Sequence, residues 1–502
     1  MNRSRLSSLF NFYSRFSFRK VPGVSLYSTE TYPRPYRESW RGTLNTLYRR
    51  ISRAGDPAAP ITPILDKWVE EGRTAHKDAL VTIIKELRQY KKHKHALEVS
   101  MWLSDKRYFE LTIPDVAIRL DLIGKVHGIK QAEDYFNNIP KQLKGRDVYC
   151  ALLNIFAHAK LVEKAEEIMQ TMRDLGFART LLSYNILLNL YYRTGNTDKF
   201  NVLMSEMEER GIGRDKYTYG IQLNVCAAAS DLEGIDKVMA EWESNPEVHM
   251  EWDSYTNAAN GYTKTQNVEG ALAMLEKAEK LIPNSKRKRE AYEYLMTQYA
   301  ALGQKDSVMR LWELYKEDLK IYNRGYICVI TSVLKIGDIE SAEKIYDEWE
   351  SKNLTPDIRI PNFLISAYTK KGLVDKAESI INRIVLKGAK PDAKTWYYLA
   401  KGYLNQDQTE KTAESMRKAL SVVEGSRWTP DRDVVAACME YMKQKADVEG
   451  AEEFIRLLGE KCSFPESTQE KLLAYMNNED SVTIEIGDLE WDHLNRVLKE
   501  VD

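Results

Sequence analysis

The sequence predicts an all-α solenoid, a stack of two-helix repeats of about 35 residues, and three observations predict it. Segments 181–215 and 358–392 have equal length and shared landmarks: Asn185 and Asn362 stand fifth, Gly195 and Gly372 fifteenth, Asp215 and Asp392 last. Segment 323–357 repeats the glycine (Gly337) and the closing Asp357. Within each segment the apolar residues recur at helical spacing, and turn residues divide it in two.

Extending the register gives units at 41–76, 77–112, 113–145, 146–180, 181–215, 216–251, 252–288, 289–322, 323–357, 358–392, 393–431 and 432–466. The early units and 393–431 keep the pattern loosely. In 358–392, Phe363, Leu364, Ala367 and Tyr368 form the apolar face of a first helix. Gly372 suits the left-handed residue that ends it. Ala377, Ile380, Ile381 and Ile384 form the face of a second helix, Pro391 bars its continuation, and Asp392 is placed to cap the next. Helices of about 12 residues are marginal alone, so they need neighbouring pairs to stack on.

The ends read differently. Residues 1–29 carry Arg3, Arg5, Arg15, Arg19 and Lys20, seven serines and no acid, which is the composition of an organellar transit peptide. Its arginine density favours the mitochondrial matrix over the chloroplast. Losing it removes five positive charges and moves the formal net charge from −1 to −6, so any field attracting nucleic acid must be local. Residues 30–76 read as an N-terminal degenerate repeat or cap and 77–466 as the tandem repeats. Residues 467–502 read as an acidic capping region whose helix opens with a capping box at Ser467 and Glu470.

Several chemistries lack their residues. Cys150, Cys226, Cys328, Cys438 and Cys462 are scattered with no C-x-x-C pair, and the seven histidines show no metal-ligand spacing. Neither a nucleophile elbow nor a phosphate-binding glycine loop is present. No apolar run approaches the ~20 residues of a membrane span. The sequence therefore predicts a protein that is not an enzyme, with no catalytic residues, no cofactor, no metal and no membrane insertion.

The pattern resembles the pentatricopeptide repeat family, carried by Tyr184–Asn185, by "ISAYTKKGLVDKAESI" (365–380) and by the endings "KPD" and "TPD". Residues 68–103 resemble a plant organellar subgroup built only of plain 35-residue units, the P-type members. The resemblance implies a right-handed superhelix and single-stranded RNA as partner, an organellar transcript read at one base per repeat. It implies that the fifth and last residues face a base edge: Asn185 with Asp215, and Asn362 with Asp392, each reading uracil. Second-position residues would sandwich the base, Leu182 with Tyr217 and Arg359 with Lys394. Thirteenth-position cations would hold phosphate: Arg53, Lys125, Arg193, Lys264, Lys335 and Lys370, of which Arg193, Lys264, Lys335 and Lys370 are the principal candidates.

The remaining fifth/last pairs are Cys150/Thr180, Gly220/Glu251, Thr256/Lys288, Glu293/Tyr322, Ile327/Asp357 and Tyr397/Asp431, few of which suit a base edge. Two good base contacts supply at most ~6 kcal/mol, whereas micromolar affinity needs about 8 kcal/mol. Two functions follow as expectations. One is an RNA-binding solenoid acting in mitochondrial transcript stability, processing or translation. The alternative is a scaffold for protein or ribosomal RNA, such as a mitochondrial ribosome-associated subunit.

Overall fold

The computed structural model describes residues 47–53, 59–106, 109–352, 354–423, 428–462, 464 and 466–476; the expected transit segment 1–29 lies outside them. Every described regular element is helical, and no strand occurs among the described residues. The repeats appear as helix pairs at the expected boundaries. Arg146–His158 pairs with Val162–Asp174, Leu181–Thr194 with Thr197–Glu209, and Lys216–Ala228 with Leu232–Ser244. Asn323–Ile336 pairs with Ile339–Ser351, Arg359–Lys370 with Val374–Leu386, and Ala393–Leu404 with Thr409–Ser421. The loosely patterned early units build the same pairs, for example Lys77–Gln89 with His93–Asp105.

Three boundaries shift, the first helix of unit 358–392 opening one residue late, at Arg359. The helix expected to open at residue 289 opens at Lys288, which therefore belongs to the next repeat rather than closing the unit before it. The terminal helix Glu466–Met476 contains Ser467 in its first turn, so Ser467 does not stand ahead of the helix as a cap. Of the acidic region 467–502, residues 477–502 lie outside the described part.

The helices fall into two compact units. The first holds those from Thr62 to Ser244 with residues 260–267, and the second holds residues 251–259 with the helices from Val268 to Met476. Inside each unit, first helices stack on first helices: Ile113–Val126, Arg146–His158, Leu181–Thr194 and Lys216–Ala228 in one; Asn323–Ile336, Arg359–Lys370, Ala393–Leu404 and Arg432–Gln444 in the other. Buried Tyr184, Leu187, Leu188 and Leu190 of one first helix show why: its apolar residues face both neighbours, so nothing of it is stable until they are present.

In most repeats the turn between the two helices passes through one left-handed residue. Its left-handed residue is Gly195, Gly303, Gly337 or Gly372 in four repeats, but Lys91, Lys160, Ser230, Gln266, Asp407 and Ala446 adopt positive φ in others. An L-residue pays steric strain there, yet the stacking on either side holds the turn.

Polar staples join consecutive repeats. Tyr191 and Lys199 both donate to Glu166 of the preceding repeat, at 2.8 and 2.7 Å. Tyr368 and Lys376 do the same to Glu343, at 2.7 and 2.8 Å. Burial, followed by the carboxylate each one binds, pushes both tyrosine hydroxyls upward in pKa. They stay protonated donors.

Candidate nucleic-acid interface

The start of each first helix is the chemically distinctive part of the repeat. Asp215 precedes Lys216–Ala228 and caps it, its Oδ1 accepting from the Tyr217 and Thr218 amides at 3.0 and 2.9 Å. Aspartate succeeds here because its short carboxylate reaches amides that the helix cannot itself satisfy. The same Oδ1 accepts from Asn185 Nδ2 at 3.0 Å, across the junction between repeats. Thr218 Oγ1 then lies 2.8 Å from Asn185 Oδ1, closing a ring of three side chains.

The second site repeats this arrangement. Asn362 Nδ2 donates to Asp392 Oδ1 at 3.0 Å, Asp392 Oδ1 accepts the Thr395 amide at 2.9 Å, and Thr395 Oγ1 lies 2.7 Å from Asn362 Oδ1. Both asparagines are 5% exposed, and both threonines are fully buried. The expected fifth/last pairs are thus brought together in both repeats. Sequence reasoning missed the threonines; their signal was the capping-box spacing D-x-x-T shared by Asp215/Thr218 and Asp392/Thr395.

The second-position residues differ. Leu182 and Tyr217 are half-buried beside the first ring. Lys394 is exposed beside the second. Arg359 is exposed but already engaged, its Nε and terminal nitrogen bonding both oxygens of Asp357 at 2.9 and 2.6 Å.

The thirteenth-position cations lie near the C-terminal ends of first helices. In the first compact unit Arg193 is exposed, and Lys264 lies 3.4 Å from Asn224 Oδ1. Lys125 is tied to Asp121 at 2.8 Å, and Asp121 also takes Arg88 at 2.7 Å. His158, thirteenth in its repeat and passed over because only Lys and Arg were sought, joins this group. Its pKa is lowered by desolvation, then by Arg193 and Lys125. In the second unit Lys370 is exposed, and desolvation brings Lys335 down to about 8. Arg53 is exposed.

The other repeats have filled the same place differently. Glu293, fifth in its repeat, is 7% exposed and bonds Arg324 at 2.6 Å, with Tyr315 Oη 3.4 Å away. Burial raises its pKa, opposed first by the Arg324 charge. Tyr397 Oη accepts the Asp431 backbone amide at 2.8 Å, and Asp357 is spent on Arg359. No cluster of metal-binding side chains occurs among the described residues, and no helix among them is long and apolar enough to cross a membrane.

Stacked helix pairs with a recurring polar junction define a helical-repeat solenoid. Models of the pentatricopeptide repeat match at residues 147–193 (pentatricopeptide repeat domain), 179–228 (PPR repeat family) and 361–388 (PPR repeat). A mitochondrial pentatricopeptide repeat-containing protein of Arabidopsis thaliana is 41% identical over 417 residues, 83% of this chain and 85% of the relative. A large ribosomal subunit protein of the same plant, mL101 (rPPR4), is 37% identical over 418 residues, 82% of this chain and 84% of that protein. The crystal structure of the maize pentatricopeptide repeat protein PPR10 aligns with TM-score 0.50 at 19% identity, a likeness of fold. That alignment takes in 87% of this chain and 64% of the maize chain, which is therefore matched over less than two thirds of its length. The chain belongs to the pentatricopeptide repeat family.

Proposed function

We propose that this protein is a P-type pentatricopeptide repeat protein of plant mitochondria that binds single-stranded RNA and acts in transcript stability, processing or translation. The observation that carries this reading is the duplicated Asn–Asp ring, at Asn185/Asp215 and Asn362/Asp392. Each asparagine has further hydrogen-bonding capacity: an amide nitrogen carries two protons, of which the aspartate takes one. That proton and the carboxylate suit the mixed edge of a pyrimidine, with uracil preferred. Leu182 and Tyr217, and Arg359 and Lys394, flank the base at their respective sites. Arg193, Lys264, Lys335 and Lys370 bind phosphate.

Two readers supply at most ~6 kcal/mol, so the cations must contribute much of the affinity, and binding must weaken with salt. Crosslinking in isolated mitochondria, followed by sequencing of the bound RNA, tests the reading. Discrete footprints rich in uridine on messenger transcripts support it, and absence of bound RNA overturns it.

A second reading has its own support in the 37% identical relative named as a large ribosomal subunit protein. In that case this chain sits on the mitochondrial ribosome as a scaffold, co-sediments with the large subunit, and crosslinks to ribosomal RNA. Mitochondrial placement rests on the relatives whose names carry it.

A further inference from the structure

Thr218 and Thr395 occupy one position in two repeats, third in the repeat that follows an Asn/Asp pair. Each is fully buried, and each makes the same contacts. The hydroxyl accepts from the capping aspartate's own amide, Asp215 N at 3.3 Å and Asp392 N at 3.2 Å. It has one proton to give. Two acceptors lie within reach: the asparagine Oδ1 at 2.8 and 2.7 Å, and the aspartate Oδ1 at 2.9 Å in both sites. The aspartate oxygen already takes a backbone amide and the asparagine nitrogen in each ring. The asparagine oxygen is 2.7–2.8 Å from the hydroxyl and sits in a residue that is 5% exposed, so it depends on that proton.

We propose that Thr218 and Thr395 are positioning residues that hold the Asn185 and Asn362 amide planes with nitrogen toward the base, and thereby set the preference for uracil over cytosine. This rests on the base-reading function proposed above. The chemistry is directional. The carboxylate can only accept, so the amide nitrogen must face it, and the threonine then holds the oxygen from the other side. Pinned at both ends, the amide cannot turn about its last torsion, and its second N–H is the group it presents. Uracil O4 accepts such a donor, whereas the cytosine amino group at the same place opposes it with a donor of its own. Without the hydroxyl the amide oxygen loses its buried partner and the plane is held at one end only, by the aspartate, so its tilt toward the base is no longer fixed. Reading a base edge requires the plane held to within about 10–20°.

The test compares the full chain with Thr218→Val/Thr395→Val and with Thr218→Ser/Thr395→Ser, titrating each with fluorescent uridine and cytidine homopolymers. Thermal unfolding is followed alongside, because valine also removes an acceptor from the helix cap; where the double valine variant does not fold, the single variants take its place. The wild type is expected to favour uridine by about tenfold or more. The valine variant should bind both within about threefold of each other, and serine, which keeps the hydroxyl, should restore the preference. A valine variant that retains the full preference overturns the role of the threonines and leaves RNA reading standing. A wild type that binds neither polymer, or both equally, overturns base reading itself and the threonine role with it.

Discussion

Repeats 289–322 and 358–392 lie in the same compact unit and place different chemistry at the same point. In one, Asn362 meets Asp392 and Thr395 in a neutral-to-anionic ring with a donor to spare. In the other, Glu293 is closed off by Arg324, with Tyr315 behind it. Both solutions satisfy a buried polar group at the junction between repeats. The first keeps an amide proton uncommitted, whereas the second presents a carboxylate already paired with an arginine. The junction is thus a structural requirement, and the base reading proposed above would be an additional property of the repeats that carry the Asn–Asp ring.

The comparison can be broken most sharply by binding. Asn185→Ala with Asn362→Ala should reduce affinity for a uridine polymer by about tenfold to a hundredfold, whereas Glu293→Gln should leave it unchanged. Equal losses from both variants in a titration would remove the distinction between open and closed repeats.

Stability should show the reverse order of importance. Arg324→Met strands a buried carboxylate and should cost about 1–2 kcal/mol in urea unfolding. That is below the loss for a fully enclosed pair, because the Arg324 side chain is 70% exposed. Adding Glu293→Met should recover most of it. The pH dependence has a definite sign. The folded Glu293 carboxyl holds its proton more tightly than the unfolded one, so its contribution falls as pH rises from the ordinary glutamate range through its raised native value. Glu293→Gln should flatten that part of the stability profile.

A smaller effect concerns Lys335. Its ammonium titrates near 8, so it loses its charge between pH 7 and 9 and RNA affinity should weaken about threefold over that interval. Lys335→Arg stays charged and should remove the change. The smallest effect lies at the turns: Ala446→Gly relieves an L-residue at φ 53° and, with glycine's backbone entropy offsetting most of the gain, should raise thermal stability by no more than about 0.5 kcal/mol.

Most of the fold was legible because a 35-residue period carries its own boundaries. Asp392 and Pro391 marked a junction, Gly372 a turn, and the helices appeared between them. The misplaced boundary at Lys288 has a physical reason. A 3-10 turn at Ile282–Asn284 and the basic run after it carry no aspartate cap, so the count had no landmark there. Asn185 and Asn362 were found from their spacing to Asp215 and Asp392. What spacing could not give was the state of those residues. The sequence leaves an asparagine at a helix start looking open to solvent, whereas it is 5% exposed and bonded to an aspartate and a threonine of the next repeat junction. His158 escaped for a simpler reason: its thirteenth position was visible in the sequence, but only Lys and Arg were sought there.

The aspartate proposed to face the base is also the one that starts the next helix. On that reading, such a repeat would recognise its base with its own hinge pin. Exchanging Asn185 or Asp215 to retarget the protein would therefore alter the joint between neighbours as well as the letter recognised. Any redesigned specificity has to carry a replacement cap with it. If the proposed reading holds, vocabulary and rigidity are inherited together, and that coupling limits how freely such a chain can drift from one message to another.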